Sequence, residues 1–145
     1  MKHITPILPV VALLLLAGCN GDKKQIQEVA YGYVMATGNF QIDDAMPFAS
    51  KETRESTIPM MKYLLEHTDT AFLQMATPAT ATIDRVEVYD DTALAFYTKT
   101  NPIGTTSDTL VLIKEEGQWL VYFPIEFPAI TPDDENITVT TESGR

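Results

Sequence analysis

The period of the apolar positions changes twice along this chain. First comes a run from Ile4 to Leu16, broken only by Thr5, Pro6 and Pro9. Helical spacing then continues to about residue 65, and alternation of period two begins after Pro78. In the second region Ile26, Val29, Ala30, Tyr33 and Val34 recur at helical intervals, and Gly38-Asn39 supplies a left-handed stop, which predicts a helix over 24–37. Asp43 is a plausible N-cap for a short helix through Ala49, with Pro47 in its first turn. Ser50 caps a charged, exposed segment, Lys51 to Ser56; Thr57 then opens another helix carrying Ile58, Met61, Leu64 and Leu65 on one face. Residues 69–76 fit either more helix or a lid-like loop.

The third region predicts four strands. Thr82–Tyr89 carries Val86 and Val88 on one face, Asp90-Asp91 forms a tight turn, and Thr92–Thr100 runs back. Asn101-Pro102-Ile103-Gly104 opens a longer connection to Thr109–Lys114, and Glu116-Gly117 turns into Gln118–Phe123. Leu110 to Ile113 and Trp119 to Phe123 are apolar on both sides, which predicts that the last two strands are central. Pro124 and Pro128 end the pairing, and from residue 128 an acidic, Thr-rich tail reads as disordered or loosely docked, with Ile137-Thr138-Val139 as a candidate edge strand. Helices followed by hairpin-linked antiparallel strands give an α+β fold: N-terminal helices packed on a curved sheet of about four strands.

Leu16-Ala17-Gly18-Cys19 closes the leading run and holds the only cysteine. The run is shorter than the ~20 residues a spanning helix needs and fits a secretory h-region. The four residues resemble the lipobox of bacterial lipoproteins. The resemblance implies that 1–18 is a signal peptide, that the Gly18–Cys19 bond is cleaved, and that Cys19 carries lipid. Two acyl chains, at about 0.8 kcal/mol per buried methylene, hold a protein to its membrane. Residues 19–24 then form a polar tether ahead of a 25–127 domain, and Asn20, not Asp, after the cysteine points to the outer membrane of a bacterial cell envelope.

Charge narrows the partners. The 145 residues carry 20 acidic and 10 basic groups; removing Lys2 with the leader leaves 9 basic against 20 acidic, a net of −11. That balance argues against nucleic acid, whose phosphates need clustered Lys and Arg, and against peripheral docking on anionic lipid. With Cys19 lipidated, no internal disulfide is available, so packing must supply the stability.

Three stretches resemble the cystatin-like cone of nuclear-transport-factor-2-like and ketosteroid-isomerase-like domains, including small lipoproteins of unknown function. They are Gly38-Asn39-Phe40 with Ala45, Phe48 and Ser50; Val86-Glu87-Val88; and the hairpin Leu112 to Val121. The resemblance spans 25–123 and implies an apolar pocket at the wide end of the cone. The superfamily's catalytic Asp, Tyr and His motifs have no counterpart here, so no catalytic residue is assigned. Tyr33, Asp44 and Asp84 are the candidate pocket residues. Tyr31 and Tyr33, two apart on a helix, point to different faces. His67, the one histidine past the leader, suits a helix C-terminus better than catalysis, and without a neighbouring ligand it does not suggest zinc. Asp90-Asp91 and Asp133-Asp134-Glu135 lack the Asp-x-Asp-x-Asp-Gly pattern of a calcium loop and read as solvated turns. No metal and no cofactor is expected.

Asp69-Thr70-Ala71, Asp91-Thr92-Ala93 and Asp108-Thr109-Leu110 resemble the O-glycosylation sequon of Bacteroidota, which makes Thr70, Thr92 and Thr109 candidate glycosylation sites at turns. Taken together, the sequence favours a lipid-anchored, non-enzymatic module that binds a small molecule or a protein. The alternatives are a small pocket enzyme of the ketosteroid-isomerase-like type and an envelope scaffold that forms a homodimer through its sheet.

Overall fold

The computed structural model describes residues 17–125, with side chains from residue 21 onward. The leader's apolar run, the 128–145 tail with Asp133-Asp134-Glu135, and the candidate strand at Ile137–Val139 lie outside the described residues. Helix α1 spans Ala17–Gly38, so it begins well before the predicted residue 24 and takes in the backbone of Gly18, Cys19 and the tether. Ile26, Ala30, Tyr33 and Val34 form its buried stripe, as the spacing requires. Its end is a Schellman motif: the Gln41 N–H reaches the Ala36 carbonyl at 2.9 Å and the Phe40 N–H the Thr37 carbonyl at 3.1 Å. The left-handed residue is Phe40, at φ 59°, where Gly38-Asn39 was expected. Both neighbours are committed elsewhere. A side chain on Gly38 would lie 3.1 Å from Lys99 Cδ and 3.2 Å from Ala79 Cβ. The Asn39 amide pairs with the Ala79 backbone, donating to its carbonyl at 3.1 Å and accepting its N–H at 2.8 Å.

Helix α2 spans Ile42–Ala45 and passes into a 3-10 turn, Met46–Phe48. Gln41, not Asp43, holds the N-cap position and makes no side-chain cap bond; Asp43 instead pairs with Lys62 at 2.6 Å. Gly32 of α1 is where this segment crosses. An alanine Cβ there would sit 2.4 Å from the nearest Phe48 ring atom. Gly32→Ala would gain about 1 kcal/mol of helix propensity against about 1–3 kcal/mol of overpacking. A lower urea midpoint at unchanged slope is therefore expected, partly recovered by adding Phe48→Leu.

Ser50 caps α3 (Lys51–Glu66) as expected, its hydroxyl accepting the Thr53 N–H at 3.3 Å. The two predicted segments are one helix with Pro59 inside it. Thr53 and Thr57, one turn apart, are both fully buried, so the first two turns are a packed face rather than an exposed one. Residues 69–76 resolve as a helix, α4 (Thr70–Met75), whose cap is Asp69 accepting the Ala71 N–H at 2.8 Å.

The sheet is antiparallel in the order β1 (Thr80–Tyr89), β2 (Thr92–Asn101), β3 (Gly104–Glu115), β4 (Gln118–Val121). Helices on one face of a four-stranded antiparallel sheet are the α+β fold the sequence implied. Two details differ. β3 starts at Gly104, because Asn101 and Gly104 close a two-residue hairpin in which Asn101 Oδ1 accepts both the Ile103 and Gly104 N–H at 3.0 Å. The central strands are β2 and β3, and β4 is an edge. Its apolar run is explained by what covers it: Trp119 and Val121 are buried under α1, and the Ala49–Thr53 stretch takes the free edge. The Ser50 N–H donates to the Val121 carbonyl at 2.9 Å, and Thr53 Oγ1 donates to it at 3.1 Å.

Register decides which side faces the helices. Val86 lies opposite Ala95 and Val88 opposite Ala93, and Ala93, Ala95, Leu110 and Leu112 are buried. Small side chains at 93 and 95 let α1 lie close against the sheet, while Leu94 and Phe96 turn to the other face. A register shift between Ile83 and Arg85 leaves Asp84 as the extra residue of a bulge.

Candidate functional site

Past the point where α1 rests on Ala93 and Ala95, the helices and sheet diverge and form a half-open cavity of about 360 Å³. Its two sides differ in chemistry. Tyr33 and Thr37 from α1, with Tyr97, Lys99 and Asp108 from the inner face of β2 and β3, form a polar wall. Opposite stand Met61, Leu64 and Leu65 of α3 and Phe72 and Leu73 of α4, closed at the ends by Phe40, Ile42 and Phe123. The volume lies at the small end of the range of ligand pockets, about 300–1,000 Å³.

Tyr33 is 3% exposed, and its hydroxyl has no hydrogen-bond partner among the described residues. A buried hydroxyl without a partner costs about 1–3 kcal/mol, so a group held this way is unusual in a native core. Desolvation, and secondarily the neighbouring Tyr97, push its phenol from 10.0 up to about 12. The Tyr97 phenol is also raised, first by burial and then by the charge of Asp108. A raised folded-state value means the native protein keeps a proton that the unfolded chain releases. The stabilisation from Tyr33 is therefore fully present below pH 10.0 and is lost as pH rises toward about 12. A decline on the order of 2 kcal/mol from Tyr33 across that window is expected in urea unfolding curves, so the alkaline loss should be smaller in Tyr33→Phe.

Of the three candidate pocket residues, Tyr33 alone lines this cavity. Tyr31 is 47% exposed, as its place two residues away requires. Asp44 is exposed on α2 and borders a second groove behind the shared wall of Phe40, Ile42 and Leu65. Asp84 is exposed on the bulge, where it accepts the Thr98 hydroxyl at 2.7 Å. The three are thus not one constellation. His67 is exposed at the end of α3, its ring 4.2 Å from that of Tyr63. Thr70 and Thr92 open α4 and β2 and are exposed; Thr109, also exposed, lies inside β3 rather than at a turn and borders the cavity. Gly18 and Cys19 fall in the first turn of α1.

Sequence reading missed Lys99 and Asp108. The parity that turns Ala93, Ala95 and Tyr97 inward also turns Lys99 inward, and the 97–108 pairing brings in Asp108. That alternation was visible in β2, but the partner strand begins six residues before its apolar run, so the facing residue was not.

No family model and no curated protein matches the chain. Among solved structures, it is similar to an NTF2-like protein of unknown function from Shewanella baltica OS155, at 16% identity and a TM-score of 0.49, over 71% of this chain and 90% of that one. It is also similar to one from Shewanella oneidensis MR-1, likewise of unknown function, at 15% identity and a TM-score of 0.48, over 69% and 93%.

Proposed function

We propose that this protein is a lipid-anchored binding module of the bacterial cell envelope that holds a small apolar ligand between α3, α4 and the sheet. The observation that carries the reading is Tyr33, which lines the cavity while its buried hydroxyl has no partner among the described residues. A ligand oxygen would complete it, while the α3 and α4 wall would take the apolar body. Binding is favoured over general acid–base chemistry because the one carboxylate on the wall, Asp108, is exposed and accepts the Thr109 N–H at 2.7 Å. Anchoring rests on the lipobox at Cys19. Among the described residues no helix is long and apolar enough to cross a membrane, which is compatible with attachment through lipid.

The test has two arms. Medium-sized apolar ketones and alcohols should raise the melting temperature of the full chain. Since a ligand at 100 times its dissociation constant adds about 2.7 kcal/mol, the shift should be several degrees and shrink in Tyr33→Phe. Labelled palmitate should enter the native protein and not Cys19→Ser. Absence of any ligand-induced shift would end the first half of the reading, and equal labelling the second.

Self-association through the sheet also has a specific observation behind it. The face away from the helices presents Leu94, Phe96, Val111, Ile113 and Leu120, and Val111 is 37% exposed. The guanidinium of Arg85 sits 4.1 Å from the Phe96 ring centre on that face. Sedimentation that stays monomeric at high concentration would remove this second reading.

A further inference from the structure

The polar wall carries one cation. Lys99 lies inward on β2, its stem running over Gly38 and Ala79, where Lys99 Cδ comes within 3.1 Å of the position a Gly38 Cβ would take. It is half-buried, and its side chain makes no hydrogen bond or ion pair with any described residue. This is not for want of an acid nearby. The pairing of Tyr97 with Asp108 and of Lys99 with Thr106 makes Asp108 its diagonal neighbour across the strands, within reach of a long side chain. Asp108 is instead exposed and bonded to its own strand's backbone. A half-buried lysine and two tyrosines with raised phenols therefore line one side of a cavity whose other side is leucine, methionine and phenylalanine. Ammonium and phenol donors together suit an anionic oxygen pair better than a lone carbonyl, because charge-assisted bonds are about twice as strong as neutral ones.

We infer that the cavity is selective for a monoanionic apolar carboxylic acid, its carboxylate held by Lys99 and the Tyr33 hydroxyl and its hydrocarbon body laid against Leu65, Phe72 and Leu73. The small volume sets one chain or ring system as the limit. Phe72 at 47% and Leu64 at 55% exposure extend the apolar wall out to the rim, where a longer body can continue. This inference rests on the cavity being a ligand site and adds the charge of the ligand.

The experiment is calorimetric titration of the full chain, at physiological salt, with decanoate, decanol and decylamine, each below its aggregation limit. Decanoate should bind at least tenfold more tightly than decanol. Lys99→Met, which keeps the stem over Gly38, should erase that preference and leave decanol within about twofold, whereas Lys99→Arg should retain it. Decanol binding as tightly as decanoate would overturn the charge assignment and leave the cavity a ligand site. Decylamine binding most tightly would overturn it in favour of Asp108. If no probe binds while the ketones and alcohols shift the melting temperature, this inference alone fails; if neither set acts, the reading of the cavity fails with it.

Discussion

Trp119→Ala is expected to remove about 3–5 kcal/mol of folding stability, the range for deleting a large buried aromatic. Against the 5–15 kcal/mol typical of a domain, this would leave the variant partly unfolded at ambient temperature. Trp119 is fully buried on the edge strand beneath α1, in the core cluster that holds Ile26 and Val121, with Lys114 Nζ 5.7 Å from its ring centre. Its indole N–H is also buried without a partner among the described residues. Trp119→Phe should therefore cost far less than alanine, because the volume lost is partly offset by removing an unsatisfied donor. Urea denaturation followed by far-ultraviolet circular dichroism checks both. Similar losses for Phe and Ala would mean that the indole N–H carries no penalty.

Thr53→Val is the second large effect, expected at about 2–3 kcal/mol with almost no change in shape. The Thr53 hydroxyl accepts the Phe123 N–H at 2.8 Å, donates to the Val121 carbonyl at 3.1 Å and lies 2.9 Å from Ser50 Oγ. Valine would leave the Phe123 N–H without its partner inside the fold, while the Val121 carbonyl would keep the Ser50 N–H. One turn on, Thr57 donates to the Phe123 carbonyl and accepts the Ile125 N–H at 3.1 Å. The two threonines together clasp the chain leaving β4 to the side of α3. Because they share Phe123, the double variant should lose less than the sum of the single losses. Phe123 also borders the cavity, so loosening the clasp should weaken ligand binding as well as stability. A variant that is destabilised yet binds undiminished would separate the clasp from the cavity.

These two sites show what was legible in the sequence and what was not. The stripe of α1, the Ser50 cap, the Glu116-Gly117 turn and the inward aim of Tyr33 are local, set by periods and by turn chemistry within a few residues. They could be read directly. Thr53 was read as exposed and Thr57 as the start of a separate helix, because a threonine on a charged helix segment carries no mark of a partner some seventy residues away. β4 was read as central because burial by helices and by neighbouring strands leaves the same apolar run. Asp44 and Asp84 were grouped with Tyr33 as polar candidates, but the bulge at Asp84 and the short turn carrying Asp44 both aim their carboxylates at solvent. Lys99 follows the parity of its strand, yet only the length of β3 shows that it lies over a cavity.

The most direct test of the central claim is a chemical-shift map of the full chain during titration with decanol, a neutral probe that both readings of the surface can accommodate. The account predicts saturating shifts at Thr37, Phe40, Leu65, Leu73 and Leu110, with the Tyr33 ring resonances moving in step. Shifts confined to Leu94, Phe96, Val111 and Ile113 on the opposite face, or none at all, would contradict it.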